Sequence, residues 1–266
     1  MATVFIIGSG PAGVAASLYA KRGGADVIVI SRGSGALGKA EKIQNYYGLR
    51  TAVSGKELEE DGISGAKNLG VKFICDEVVD LALNEDFTGF VIKTPTGKYA
   101  ADAVILATGA GRIAPKIAGL AEHEGRGVSY CATCDAFFYR GKTAAVLGSG
   151  EYALHEVQAL LPVVKSVSLL TNGMPLTAEF PPEVTVYPQK VEAVLGEQVV
   201  TGVQLSDGQE VALSGVFVAL GVAGSTALAR KIGAAVEGSR IVVDEKMQTT
   251  VPGLYAAGDC TGGLLQ

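Results

Sequence analysis

Two glycine turns, each entered by an apolar strand and left by a helical run, predict an α/β fold of two Rossmann-like domains. The second domain is inserted in the first, and each carries a small antiparallel β-meander. The first turn is Gly8-Ser9-Gly10-Pro11-Ala12-Gly13 and the second is Gly148-Ser149-Gly150-Glu151-Tyr152-Ala153. A third observation is spacing: Gly8 stands as far from the strand end Ser31 as Gly148 does from the strand end Thr171, so one diverged pattern occurs twice.

The elements follow in order. Thr3–Ile7 is a strand leading into the first turn, the helix after it runs to about Arg22, and "DVIVIS" is the second strand, ending at Ser31. "GFVIKTPTGKYA" alternates around a glycine-containing turn, as a meander does, and "ADAVILATG" closes the unit at Gly109. The second copy repeats the plan with "TAAVL", the helical "YALHEVQALL", "SVSLLT", the meander "VVTGVQLSDGQEVAL" and the closing "LSGVFVALG" at Gly221. The chain then returns to the first unit with "RIVVDEKMQTTVPGLYAAGDC". The expected domains are residues 1–110 with 222–266, and residues 111–221. No low-complexity linker separates them, so the joints are short.

A chain of 266 residues is long enough to bury two cores. Its 48% hydrophobic and 18% charged residues, with 36 glycines, exclude a disordered or collagen-like chain. A net charge of -5 gives no general electrostatic reason to bind nucleic acid. No apolar run approaches the roughly 20 residues of a membrane span. "TVFIIG" runs directly into a glycine turn and reads as a strand, not a signal peptide. Four cysteines do not make a disulfide scaffold at this length, so the cytoplasm is the expected compartment.

Strand, glycines, helix and second strand arrive in the order a dinucleotide site requires, with the backbone close to a pyrophosphate and the helix N-terminus facing its charge. The acid that usually ends the second strand is replaced by Ser31-Arg32. In the second copy Tyr152 is bulky beside the helix N-terminus. Directly after the strand, Thr171-Asn172-Gly173 of "LLTNGMPLTAEF" offers neither an acid for a 2′-hydroxyl nor an arginine for a 2′-phosphate. This copy reads as a fold kept without its ligand.

Between the two turns lies "YCATCD", with Cys131 and Cys134 two residues apart. A zinc site needs four ligands, and only His123 is near, while Cys75 and Cys260 stand alone. A thiol pair at this spacing is suited to disulfide exchange, and redox use is the reading adopted. Asp135 has two readings, a helix N-cap or the acid that protonates a leaving thiolate. Cys75 reads as a small hydrophobe ending an apolar strand. Cys260 reads as a pocket residue without a partner, and His123 and His155 as surface or helix residues.

Taken together, these stretches resemble the low-molecular-weight thioredoxin reductase family over essentially the whole chain, with its FAD/NAD-linked reductase fold. "GSGPAG" looks like its FAD turn, "NYYG" like its flavin-side loop, "YCATCDAFFYRGK" like its redox motif and "LYAAGDCTG" like its second FAD motif. The resemblance implies that Cys131 exchanges with the substrate disulfide, that Cys134 faces the flavin and that Asp135 is the acid. It implies FAD contacts at Gly8, Ser9, Gly10, Pro11, Ala12, Gly13, Asn45, Ala107, Thr108, Gly109, Gly258 and Asp259. Ser31, Arg32, Lys39, Val78 and Gln266 are further expected contacts. The family's last helix has no counterpart after "GDCTGGLLQ", from which weaker FAD retention is expected.

Members that use NADPH carry a basic cluster where Thr171-Asn172-Gly173 stands here. "GKAEKIQNYYG" with the degenerate second domain is more similar to the ferredoxin-linked flavin thioredoxin reductases. The expected activity is therefore an FAD-dependent reductase of a thioredoxin-like protein, homodimeric, taking electrons from ferredoxin. Alternatives are a dithiol oxidase using oxygen, an NADPH enzyme with atypical contacts, and a non-enzymatic redox sensor. Arg112, Lys116, Arg126, Arg140 and Lys142 are candidate donor-docking cations.

Overall fold

The structure is a computed structural model that describes residues 1–109, 116–221 and 224–261. The chain divides into two compact units, Met1–Arg112 with Gly224–Gln266, and Ile113–Ala223.

The chain opens with β1 (Thr3–Ile7), α1 (Pro11–Arg22) and β2 (Asp26–Ser31). Pro11 occupies the first helical position, where a missing N–H costs nothing, and Lys21 and Arg22 favour the negative C-terminal end. A 3-10 turn at Leu37–Lys39 precedes α2 (Gly55–Asn68). Ser54 caps α2 by accepting the Glu57 N–H at 3.1 Å. Then come β3 (Lys72–Cys75), the meander β4 (Asp80–Leu83), β5 (Phe90–Lys93), β6 (Lys98–Ala101), and β7 (Ala103–Leu106).

The inserted unit holds β8 (Val128–Ser129), α3 (Ala132–Asp135), a 3-10 turn at Ala136–Tyr139, β9 (Thr143–Leu147) and α4 (Glu151–Leu160). It continues with β10 (Ser166–Leu170), β11 (Thr185–Tyr187), the meander β12 (Val191–Leu195), β13 (Gly202–Leu205), β14 (Glu210–Ala212), and β15 (Gly215–Val218). The return segment forms α5 (Ser225–Lys231), the hairpin β16 (Val236–Glu237) with β17 (Arg240–Ile241), and β18 (Leu254–Ala256).

Each unit is built on a five-stranded parallel sheet, in the order β18-β7-β1-β2-β3 and β11-β10-β9-β15-β8. In both sheets the strand entering the glycine turn lies between the strand after its helix and the strand that closes the unit. The repeat seen in the sequence is thus a repeat of topology. Strands buried on both faces account for the continuous apolar runs. Ile6, Val27 and Val29 pack with Val14 of α1 and Ala66 of α2, while Leu147, Leu170 and Val216 pack with the meander residues Val203 and Leu205. In the first unit Lys231 reaches Asp80 at 3.7 Å with its side chain 1% exposed, and Lys93 reaches the same carboxylate at 2.8 Å. This pairing ties α5 to the β4–β5 hairpin. No helix among the described residues is long and apolar enough to cross a membrane.

Candidate active site

In the first unit the three glycines of the turn meet three different surroundings. Gly8 has a φ of 115°, and a Cβ on it would overlap the Ala107 carbonyl oxygen. A Cβ on Gly13 would overlap the Gly8 carbonyl oxygen. Gly10, between them, has nothing within 4 Å of the place its Cβ would take. Two glycines therefore close the corner and the third leaves backbone open to a ligand, the division of labour a bound pyrophosphate requires. The first turn of α1 carries no acid that would neutralise its positive end. The chain fits a dinucleotide here, and this turn is where the residues present would hold FAD.

The other expected FAD contacts lie around this corner in varying degree. Ser9 and Ala107 are buried, and Gly258, with a φ of 79°, lies under Ala12, where an added Cβ would come to 2.8 Å. Thr108 precedes Gly109 (φ 77°) and is locked to the start of α5: its Oγ1 accepts the Ser225 N–H at 2.7 Å, and its N–H donates to Ser225 Oγ at 3.1 Å. Asp259 is half-buried beside Gly258. Ser31 ends β2, and Arg32 after it pairs at 3.2 Å with Glu77, next to the buried Val78. Glu59 of α2 accepts from Ser34 Oγ and from Gly35 N–H, ordering the loop after β2. Lys39, in the 3-10 turn, and Asn45 are exposed. Gln266 lies outside the described residues.

The second turn starts the same way: a Cβ on Gly148 would overlap the Ala219 carbonyl oxygen. It then differs at the middle glycine. Thr177, from the loop after β10, donates its N–H to the Ser149 carbonyl at 2.9 Å, and its Oγ1 stands 3.0 Å from the place of a Gly150 Cβ. The face that is open at Gly10 is covered at Gly150. Thr171 is buried, with its hydroxyl toward the Pro188 carbonyl at 3.4 Å. Asn172 has a φ of 54° and its side-chain oxygen accepts the Val191 N–H at 2.9 Å. Both side chains after the strand are therefore used by the fold. Tyr152 does not crowd the turn as the sequence suggested: it points inward, buried, and its hydroxyl donates to the Tyr130 carbonyl at 3.1 Å.

Cys131 and Cys134 are joined as a disulfide with Cα atoms 5.3 Å apart. Cys131 caps α3, with its sulfur accepting the Cys134 N–H at 3.1 Å. It is 4% exposed, whereas Cys134 is exposed. Of the two readings of Asp135, its side chain makes no cap hydrogen bond to the following turn. It accepts instead from the Ser129 hydroxyl at 2.6 Å, and the same oxygen of Ser129 accepts the Cys131 N–H at 3.1 Å. Burial, and then the Asp135 charge, push the Tyr139 phenol above its usual range. Tyr139 packs edge-on against Phe217 at 5.2 Å and over Gly215, which anchors the end of the redox motif to β15. Under the loop, Glu156 of α4 accepts the Ala132 N–H at 2.5 Å.

Three other expectations are corrected. Cys75 is exposed, because β3 is an edge strand and the residue sits at its end. His123 is buried, with its two ring nitrogens against the carbonyls of Gly119 at 2.7 Å and Gly196 at 3.1 Å, so it knits loops of the inserted unit together. Cys260 has partners: its thiol donates toward the Leu106 and Ala257 carbonyls at 3.4 and 3.3 Å. Lys116, Arg126, Arg140 and Lys142 are exposed, but Arg126 bonds the Glu122 carbonyl while Arg140 lies over Phe137 at 5.1 Å, so these cations are spread over different loops. Arg112 lies outside the described residues.

Sequence reasoning missed Ser129, Glu156 and Thr177. Glu156 left a signal, an acid in register with the apolar positions Tyr152, Ala153, Val157 and Leu160 of one helix face. Ser129 and Thr177 left none.

The model of the pyridine nucleotide-disulphide oxidoreductase family matches residues 2–266. The thioredoxin reductase of Aquifex aeolicus is 36% identical over 275 aligned residues, covering 96% of this chain and 84% of that one. Among solved structures, the atypical thioredoxin reductase TRi from Desulfovibrio vulgaris Hildenborough superposes with a TM-score of 0.92 at 36% identity, over 100% of this chain and 92% of that one. A ferredoxin-flavin thioredoxin reductase from Clostridium acetobutylicum superposes with a TM-score of 0.72 at 32% identity, over 100% and 91%.

Proposed function

The chain belongs to the pyridine nucleotide-disulphide oxidoreductase family, with its thioredoxin reductases, and we propose that it reduces a thioredoxin-like protein through Cys131–Cys134 using electrons from ferredoxin, not from NADPH. The observation that carries the choice of donor is the contrast between Gly10, open within 4 Å, and Gly150, covered by Thr177. A pyridine nucleotide needs a second open glycine turn. The similarity to the ferredoxin-flavin thioredoxin reductase of Clostridium acetobutylicum supports the same choice.

FAD held at the Gly8–Gly13 turn would supply one- and two-electron redox chemistry for reduction of the disulfide. The chain's own residues do the rest. Taking up two electrons and two protons turns the Cys131–Cys134 bond into two thiols. The Cys131 thiolate then attacks the partner's disulfide, forming a mixed disulfide and releasing one partner sulfur. Cys134 attacks Cys131 Sγ, which restores the internal bond and frees the reduced partner. Asp135, fixed by Ser129, holds the proton that the departing sulfur takes. At 4% exposure, Cys131 must become accessible before it can exchange.

The test is anaerobic reduction of the flavin-loaded protein with each donor in turn. Fast bleaching by reduced ferredoxin and slow bleaching by NADPH and NADH support the proposal. Fast bleaching by NADPH overturns it.

A further inference from the structure

We infer that α4 has become a clamp on the redox loop, and that its buried Glu156 carboxylate is a positioning residue that sets the reactivity of Cys131, a role that rests on the disulfide chemistry proposed above. Tyr152 and Glu156 stand four residues apart, and so on one face of the helix. Tyr152 holds the carbonyl of residue 130 and Glu156 holds the N–H of residue 132, so the two bonds grip the peptide groups on either side of Cys131. The helix after a glycine turn ordinarily presents its first turn to a phosphate. Here the side chains of its buried face are spent on the sulfur-bearing loop instead, and the middle glycine of the turn is covered.

The charge of the clamp matters as well as its grip. Glu156 is 1% exposed, and its other oxygen lies 3.4 Å from His155 Nδ1. The strands beneath α4, β9 and β10, contribute no acid or base. From α3, Asp135 turns to Ser129, and Tyr139 in the following turn packs on β15. A carboxylate at this place has two effects on reduced Cys131. It occupies the Ala132 N–H, one residue from Cys131, and it sets a carboxylate against the peptide group that Cys131 shares with Ala132. Both disfavour the thiolate that the Cys134 N–H favours. Removing the charge should therefore stabilise the reduced pair, as in disulfides that are strong oxidants because their reduced form is stable.

The experiment compares flavin-loaded wild type with Glu156→Gln in dithiothreitol redox buffers at pH 8, reading the fraction of open disulfide by alkylation and mass. Dithiothreitol supplies the two electrons and becomes its cyclic disulfide. The expected result is a shift toward the dithiol of about tenfold, about 30 mV for this two-electron couple. In a Cys134→Ser background, the pH profile for modification of Cys131 should also move down by about one unit on adding Glu156→Gln. Tyr152→Phe, a neutral change, should leave the equilibrium within about twofold. Should Glu156→Gln fail to fold, Glu156→Asp decides: its shorter reach should move the equilibrium the same way by about threefold, and no movement overturns the clamp. A bond that opens in both proteins with one equilibrium and one pH profile sinks the clamp alone. A wild-type bond that never opens sinks the disulfide reading with it.

Discussion

The Ser129 hydroxyl donates to the Asp135 carboxylate at 2.6 Å while accepting the Cys131 N–H, so one serine links the proposed acid to the backbone of the proposed nucleophile. A side chain held this way is aimed before reaction begins. Asp135→Asn keeps the shape and loses the proton-holding group, and disulfide turnover should fall about a hundredfold, within the range typical of general acids. Ser129→Ala should cost only several-fold, because the acid remains but is less well aimed. Turnover with a protein disulfide, in proteins matched for flavin content, checks both. Equal activity in Asp135→Asn would return that residue to a structural role.

The two glycines that look alike in the sequence should respond differently to the same change. Gly13→Ala forces a Cβ into the Gly8 carbonyl, so the apoprotein itself should be destabilised by several kcal/mol. Gly10→Ala meets nothing in the protein, so the apoprotein should melt within a few degrees of wild type. Its methyl group stands in the space left for a phosphate, however, and FAD affinity should drop at least tenfold. Melting curves of apoprotein and fluorescence titration with FAD separate these outcomes.

Much of this was legible in the sequence wherever the information is local. Apolar strands around Gly8 and Gly148 announce their corners because the steric demand falls on neighbouring residues. The pairing of Cys131 with Cys134 is local in the same sense. The helix face signalled that Glu156 is buried, but the partners of Thr177, Glu156 and Ser225 were not legible, because each acts on a residue brought to it by the sheet: Ser149, Ala132 and Thr108. Tyr152 was misread as crowding the turn, because its partner, Tyr130, lies on the edge-strand side of the sheet, out of reach of any local pattern. His123 was misread for a similar reason, since one of its two carbonyl partners, Gly196, is supplied by the meander.

The free thiols offer a direct check of the exposure pattern. Cys75 is exposed and Cys260 buried, and burial pushes the Cys260 thiol up despite hydrogen bonds from its surroundings. Native oxidised protein should therefore titrate one fast thiol with an aromatic disulfide reagent, and unfolding without reductant should reveal a second. Loss of the fast thiol in Cys75→Ser identifies it. Two fast thiols in the native protein would contradict the placement of Cys260.

Partner trapping assigns the sulfurs. If Cys131 is the exchanging thiol, Cys134→Ser should accumulate a stable mixed disulfide with an oxidised thioredoxin, and Cys131→Ser should not. The structure sets a condition on this, since Cys131 is the buried sulfur and Cys134 the exposed one. Were exposure alone to govern, the trapping pattern would be reversed. Non-reducing electrophoresis of the two variants with the partner decides.

The choice of electron donor is open to removal of the covering residue as well as to addition of donors. NADPH must be held by its phosphates and have its hydride aimed, and most of the rate of such a transfer comes from that positioning. Thr177 covers the middle glycine, and Thr171 and Asn172 are bound into the fold where a cationic clamp would stand. NADPH should therefore bleach the flavin at least a hundredfold more slowly than reduced ferredoxin. A ferredoxin needs only a docking surface, and the driving force is sufficient: about −400 mV for a plant-type ferredoxin against about −270 mV for thioredoxin is roughly 6 kcal/mol downhill for two electrons. Ferredoxin surfaces are expected to be acidic, and Lys116, Arg126, Arg140 and Lys142 are exposed cations on a chain of net charge -5, so added salt should slow this reduction by screening. Thr177→Gly uncovers Gly150 without supplying a clamp, and it should improve the NADPH rate by no more than about tenfold, since the 2′-phosphate still lacks a partner. Stopped-flow under argon measures every arm. Rapid bleaching of the wild type by NADPH would show that a nucleotide reaches the flavin without the second glycine turn, and ferredoxin would lose its claim as donor.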